Sequence, residues 1–243
     1  MGKYDTVDPD ALSTEAFLGM IDYTLLKPER SLADYVEFIR EADKWGFRTV
    51  FLPPYYVPMA AGILSASDTI VGTPISFPYG YTTPETKASE ALSALEDGAR
   101  ELDMVMNVSA ALSGEWDLVE EDLREVAETV RAWEKATMSG PILLKVILET
   151  PYLNEQQIVE ACRRAEKAGL DYVKTATGTG PGGATPEVIA LMRKTVGDEM
   201  GVKAAGGVRT WEQAHEMIKA GANRIGTSTG PDIAGEFIAS KVK

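Results

Sequence analysis

The chain has 243 residues, 44% of them hydrophobic, and carries 37 Asp and Glu against 24 Lys and Arg, a formal net charge of −13. That length suits one barrel domain of about 250 residues, and the acidity argues against nucleic acid, whose phosphates are held by clustered Lys and Arg that this sequence lacks. One cysteine, Cys162, and one histidine, His215, leave no disulfide framework, no cysteine-based zinc site and no two-histidine metal site, so neither metal nor other cofactor is expected.

Residues 1–13 are polar, acidic and without period, and read as a peripheral N-terminal arm on a single domain covering 1–243. Beyond them, short apolar β-branched runs alternate with longer amphipathic ones. The pattern predicts strands over 18–25, 48–52, 69–76, 101–107, 142–149, 171–175, 201–205 and 223–227. Helices are predicted over 32–45, 57–65, 84–99, 117–135, 155–168, 186–196, 211–220 and 232–240. Several boundaries have a mechanism. Ser31 with Asp34 makes an approximate capping box, and Thr83-Pro84 and Thr185-Pro186 place an N-cap before a proline at the first helical position. Gly46, Gly98, Gly169 and Gly221 each close a helix before the next strand. The joins Lys44-Trp45-Gly46-Phe47, Lys167-Ala168-Gly169-Leu170 and Lys219-Ala220-Gly221-Ala222 resemble one another, as repeats of one unit would.

Eight strand–helix repeats predict an α/β fold, a (β/α)8 TIM barrel, in preference to an open doubly wound sheet. The latter usually carries a GxGxxG after its first strand, and none is present. The N-terminus shows no basic-then-apolar signal and no apolar stretch is long enough to cross a bilayer, so a cytoplasmic protein without a membrane partner is expected. Cys162 and His215 fall in helical stretches away from the strand ends and read as structural.

Charged residues inside barrel strands are costly unless they point into the lumen and are paired. This chain has Asp22, Asp103, Lys145, Glu149, Lys174 and Lys203 there, too many for scaffold alone. Lys174 and Lys203 end short apolar runs on successive strands, each followed by small residues and glycine. Two neighbouring ammoniums push one pKa down, and a neutral lysine is a carbonyl nucleophile, so imine chemistry is expected with either lysine as the nucleophile. Gly206-Gly207 follows the seventh strand, and Gly226-Thr227-Ser228-Thr229-Gly230 follows the eighth, the usual phosphate position in such barrels. The run Gly178–Gly183 after the sixth strand shapes the rim, with Arg209 nearby.

The chain resembles the deoxyribose-phosphate aldolase family of class I aldolases. The likeness is carried by Ile21-Asp22-Tyr23-Thr24-Leu25-Leu26-Lys27-Pro28, Ser76-Phe77-Pro78-Tyr79-Gly80, Glu101-Leu102-Asp103-Met104-Val105-Met106-Asn107 and Lys145-Val146-Ile147-Leu148-Glu149-Thr150. It continues through Val173-Lys174-Thr175-Ala176-Thr177-Gly178, 201–210 and 221–228. The resemblance implies that Lys174 forms the Schiff base, that Lys203 depresses its pKa, and that Asp103 handles protons through water. It further implies phosphate contacts at Gly206, Gly207, Gly226 and Ser228, with Gly178 at the rim and Asp22 and Lys145 holding the lumen network. The expected reaction is reversible cleavage of 2-deoxy-D-ribose 5-phosphate to acetaldehyde and D-glyceraldehyde 3-phosphate, by a homo-oligomer of two or four chains. The chain departs from the family at Tyr23, where histidine is usual, at Phe51, near a frequent cysteine, and at Ser76, where glycine is usual. Pro53-Pro54 and the tail 240–243 also differ. Two other readings stay open: a related class I aldolase with another donor, and a non-catalytic sugar-phosphate-binding paralogue.

Overall fold

In a computed structural model, which describes residues 3–241, eight parallel strands close into a barrel in sequence order. They are β1 (Ile21–Thr24), β2 (Thr49–Phe51), β3 (Ile70–Ile75), β4 (Glu101–Val105), β5 (Leu143–Ile147), β6 (Tyr172–Lys174), β7 (Gly201–Ala205) and β8 (Arg224–Thr227). The helices are α1 (Thr14–Leu18), α2 (Leu32–Trp45), α3 (Val57–Ile63), α4 (Pro84–Glu96), α5 (Val108–Leu112), α6 (Trp116–Thr137), α7 (Glu155–Lys167), α8 (Pro186–Val196), α9 (Trp211–Lys219) and α10 (Gly230–Ser240). The fold is the expected (β/α)8 barrel. Among the described residues no helix is long and apolar enough to cross a membrane.

The capping signals act as the sequence indicates. Ser31 and Asp34 form a reciprocal capping box on α2, and Thr83 and Thr185 accept the Thr86 and Val188 N–H groups ahead of Pro84 and Pro186. Each such cap satisfies an amide that the helix cannot, worth about 1 kcal/mol. Gly46, Gly98, Gly169 and Gly221 all have positive φ.

Three stretches depart from the expected pattern. Leu18 is not in β1: Ser13 caps Ala16, a short helix forms over Thr14–Leu18, and Gly19 closes it before the strand begins. The fourth strand stops at Val105 because the Asn107 side chain accepts the Ala110 N–H and starts α5. Glu149 lies past the end of β5, in left-handed conformation at φ 55°, ψ 54°.

Both faces of the sheet are buried, and they differ in chemistry. Between barrel and helices lies a continuous core of side chains such as Ile21, Leu52, Leu102, Val146, Val202 and Phe237. Strand residues of the opposite parity face the lumen, and there the usual branched aliphatics are largely replaced by charge. At the lumen's N-terminal end, Tyr172 fills the space that a side chain on Gly201 would take; a Cβ there would lie 2.1 Å from its ring. The Tyr4 ring meets Tyr172 edge-on at 4.8 Å. The described part of the N-terminal arm is held across this base, where Tyr4 N–H donates to Asp198 O (2.8 Å), Asn223 Nδ2 donates to Asp5 O (3.2 Å) and Lys3 pairs with Asp171 (3.6 Å). Met1 and Gly2 of the arm, and Val242 and Lys243 of the tail, lie outside the described residues.

Candidate active site

Strand register brings the charged residues together. Asp103 on β4 stands beside Lys145 on β5, Lys174 on β6 beside Lys203 on β7, and Lys203 beside Arg224 on β8. All point into the lumen, with side chains between 0 and 7% exposed. Asp103 is the hub. Its Oδ2 accepts hydrogen bonds from Lys174 Nζ (2.8 Å) and Lys203 Nζ (2.7 Å), and its Oδ1 accepts one from Lys145 Nζ (2.9 Å). Lys145 also donates to Glu101 Oε2 (2.6 Å), and Arg224 bridges Asp22 Oδ1 and Glu101 (2.5 and 2.7 Å). Lys203 Nζ lies 2.5 Å from Asp22 Oδ2, although that oxygen accepts no well-aligned hydrogen bond; we read this as a charge contact.

Four buried basic groups (Lys145, Lys174, Lys203 and Arg224) thus face three buried carboxylates (Asp22, Glu101 and Asp103). An unmatched buried charge is expensive, so one base is pressed to give up its proton. Burial alone would raise Asp103, but the Lys145, Lys174 and Lys203 ammoniums outweigh it and hold that carboxyl well below the ordinary range. Asp22 is likewise held low, against burial, by Arg224, Lys203 and Lys145. Burial pulls Lys145 down, yet Asp103, Glu101 and Asp22 keep it above the usual lysine value. Lys203 goes the other way. Burial is the largest influence on it, Asp103 and Asp22 offset this only in part, Lys174 and Lys145 add repulsion, and it is pushed down to about 8.

Above this cluster a cavity of about 210 Å³ opens at the C-terminal end of the barrel. Lys174 lines it, while Lys203 and Lys145 lie beneath and do not. Gly178, Gly206, Gly207, Gly226 and Ser228 line the same cavity. Gly206 and Gly207 have φ of 91° and 88°, a double left-handed turn that side chains rarely adopt and that leaves backbone amides free to approach an anion. Gly226 has a different reason: a Cβ there would come 3.0 Å from Lys203 Cε, so its absence lets the lysine stem pass. Hollows of larger volume run along outer helices such as α2, where no comparable charge cluster converges.

The structure separates the remaining sequence candidates. Glu149 does not join the lumen cluster; its carboxylate turns to the loop after β6 and meets Thr177 N–H. Tyr23 has the outward parity of β1, stacks on Phe38 at 3.7 Å and donates to Glu41 Oε2 (2.7 Å), away from the cavity. Phe51 faces inward, with its ring centroid 4.0 Å from Lys203 Nζ and 4.7 Å from Lys145 Nζ. Ser76 has φ 53°, a left-handed conformation that favours glycine; here Glu90 accepts its N–H (2.8 Å) and Thr82 hydrogen bonds its hydroxyl (2.6 Å). Arg209 and, unforeseen, Lys27 and Phe77 line the cavity. Cys162 is buried behind the barrel and pushed up to about 12, an inert thiol, and His215 sits on α9 against Asp10. Two lumen charges, Arg224 and Glu101, escaped sequence reasoning. For Glu101 the signal was available: it lies two residues before Asp103, a recognised lumen position, and so on the same face; Arg224 likewise lies two residues before Gly226, which the sequence marked only as a phosphate contact.

Residues 23–234 match the model of the DeoC/LacD family aldolases. The chain is 51% identical to the deoxyribose-phosphate aldolase of Geobacillus sp. (strain WCH70), over 88% of this chain and 92% of that one. It is also 51% identical to the enzyme of that name from Thermococcus gammatolerans, over 86% of this chain and 91% of the other. Among solved structures, the tetrameric deoxyribose phosphate aldolase of Aeropyrum pernix superposes with a TM-score of 0.85 at 32% identity, covering 95% of both chains. A shared barrel, a matching family model and half-identical relatives along nearly the whole length leave one conclusion: the chain belongs to the DeoC/LacD family of aldolases.

Proposed function

We propose that the protein cleaves 2-deoxy-D-ribose 5-phosphate reversibly to acetaldehyde and D-glyceraldehyde 3-phosphate, through an imine on Lys174. The observation that carries the assignment of the nucleophile is that Lys174, alone of the three lumen lysines, lines the cavity. Its Nζ shares Asp103 Oδ2 with Lys203, the lysine pushed down to about 8. Asp103 is therefore a relay between two amines, through which Lys203 or its conjugate base exchanges a proton with Lys174.

Neutral Lys174 Nζ adds to the C1 aldehyde of the open-chain sugar, and the carbinolamine loses water to give a protonated imine. Removal of the C3 hydroxyl proton, by Asp103 through a water, breaks the C2–C3 bond. Its electron pair moves into the imine, leaving an enamine on Lys174 and releasing D-glyceraldehyde 3-phosphate as the new aldehyde. The enamine takes a proton at C2, and water hydrolyses the resulting imine to acetaldehyde and free Lys174. Gly206, Gly207, Gly226 and Ser228 would hold the phosphate, with Gly178 at the rim, so that binding remote from the reacting bond orients C1 over Lys174. Asp22 and Lys145, with Arg224 and Glu101, would fix the hub from below.

An assembly of several copies of this chain belongs to the same reading and is supported by the tetrameric relative from Aeropyrum pernix. The reaction is tested by borohydride reduction in the presence of acetaldehyde, followed by intact-mass measurement and peptide mapping. A two-carbon adduct on Lys174 is expected; an adduct on another lysine, or none, overturns the assignment.

A further inference from the structure

Glu149 holds a position that the lumen network does not explain. It is 4% exposed, and among the described residues no lysine or arginine pairs with its carboxylate. It is also one of three non-glycine residues with positive φ among the described residues, at 55°. A buried carboxyl group and a left-handed backbone are each costly, and such costs persist where the surroundings enforce them for a purpose.

The surroundings are specific. Pairing between the fifth and sixth strands continues past both: Leu148 N–H donates to Lys174 O (2.9 Å) and Thr150 N–H to Thr175 O (2.9 Å). Glu149 is the residue between these two bonds. Its left-handed turn sends the carboxylate over the segment that follows Lys174, where both oxygens face Thr177 N–H at 3.3 and 3.2 Å. Gly180 packs against the same group; a Cβ there would lie 3.3 Å from Glu149 Oε1. The far end of this segment is tied to the seventh strand's loop. Ala184 N–H donates to Gly206 O (2.9 Å), and Gly183 lies so close that a Cβ on it would come within 2.0 Å of that oxygen. One segment, 177–184, thus runs from Glu149 to Gly206, and its Gly178 and Thr179 form a wall of the cavity that Gly206 and Gly207 also line.

We infer that Glu149 is a positioning residue that clamps the segment after β6 and thereby sets the phosphate-binding wall formed by Gly178, Gly206 and Gly207. The inference rests on the reading that the sugar's phosphate occupies this side of the cavity. Glu149 touches neither the reacting carbons nor the lysine cluster, so its loss acts on the phosphorylated end of the substrate more than on the imine.

Glu149→Gly removes the carboxylate while keeping a residue at ease in the left-handed backbone, and Glu149→Gln keeps an oxygen able to accept Thr177 N–H. The ratio of kcat/KM for 2-deoxyribose 5-phosphate to kcat/KM for unphosphorylated 2-deoxyribose is measured in both. For Glu149→Gly a fall in this ratio of about tenfold or more is expected, through KM, with Glu149→Gln restoring most of it. Inorganic phosphate, titrated by calorimetry, should bind Glu149→Gly about tenfold more weakly than wild type. An unchanged ratio with unchanged phosphate affinity overturns the clamp, as does an equal loss on both sugars, which would mark a merely structural role. Failure of the reaction itself is separate: it would appear as no acetaldehyde adduct on Lys174 of the wild type, and the phosphate titration would still decide for or against the clamp.

Discussion

Replacing Lys203 with leucine tests the charge arithmetic of the lumen directly. The substitution leaves Lys145, Lys174 and Arg224 against Asp22, Glu101 and Asp103, three charges of each sign in place of four against three. In the wild type the cluster is pressed to release a proton, and Lys203 is pushed down to about 8. In the variant the charges balance, so the proton leaves only near the ordinary lysine value of about 10.4. At pH 7.5 the proton-deficient cluster falls from roughly a quarter of molecules to roughly a thousandth, so kcat/KM should drop about two-hundredfold. The assay is the pH dependence of kcat/KM for cleavage, with thermal unfolding run in parallel to show that the barrel persists. The acid limb is expected near pH 8 in the wild type and about two units higher in Lys203→Leu, with activity partly recovered by alkali. An acid limb that stays in place in the folded variant would refute the reasoning, because Lys203 would then have no share in the proton that Lys174 must lose.

Lys174→Arg keeps a cation beside Asp103 but cannot form an imine; turnover should fall by about four orders of magnitude or more, and the borohydride adduct should vanish from peptide maps. Arg224→Met leaves Asp22 and Glu101 without their shared guanidinium, and chemical denaturation should show a loss of about 3–5 kcal/mol, with the lysine chemistry weakened less than stability. Acid should unfold the barrel through its aspartates. Asp22 and Asp103 are held below their ordinary values, so the stability they contribute is complete above about pH 4 and is lost as pH falls further. Denaturant midpoints measured from pH 6 to pH 2 check this, and Asp22→Asn should flatten the low-pH slope.

The barrel was legible because its repeats carry local instructions: caps at Ser31, Thr83 and Thr185, glycines at helix ends, and short apolar strands between them. Errors gathered where a side chain redirects the backbone within one or two residues. Ser13 starts a short helix that runs into the first residue of one predicted strand, and Asn107 at the end of another caps a helix; an apolar run does not reveal a cap at its edge. In the site, charges in strands were visible as anomalies, but their grouping depended on register between strands far apart in sequence. That is why Arg224, whose partners Asp22 and Glu101 lie 202 and 123 residues away, went unnoticed. Tyr23 shows the complementary limit. As a departure from the family it drew attention, yet one step of strand parity puts it behind the wall, on Phe38, rather than beside the substrate.

The edge-on tyrosines at the base plug one end of the lumen. Tyr172 fills the lumen at its N-terminal end with Tyr4 against its ring, and the cavity that Lys174 lines opens at the opposite end, the mouth where the sugar enters. On the proposed path, substrate filling that mouth would confine the proton passed from Lys174 through Asp103 with the reacting carbons. The hydrogen placed on the enamine would then be drawn partly from this trapped stock rather than from bulk solvent. Deuterium appearing in acetaldehyde would lag behind its abundance in the medium, and opening the floor at Tyr4 would let the label catch up.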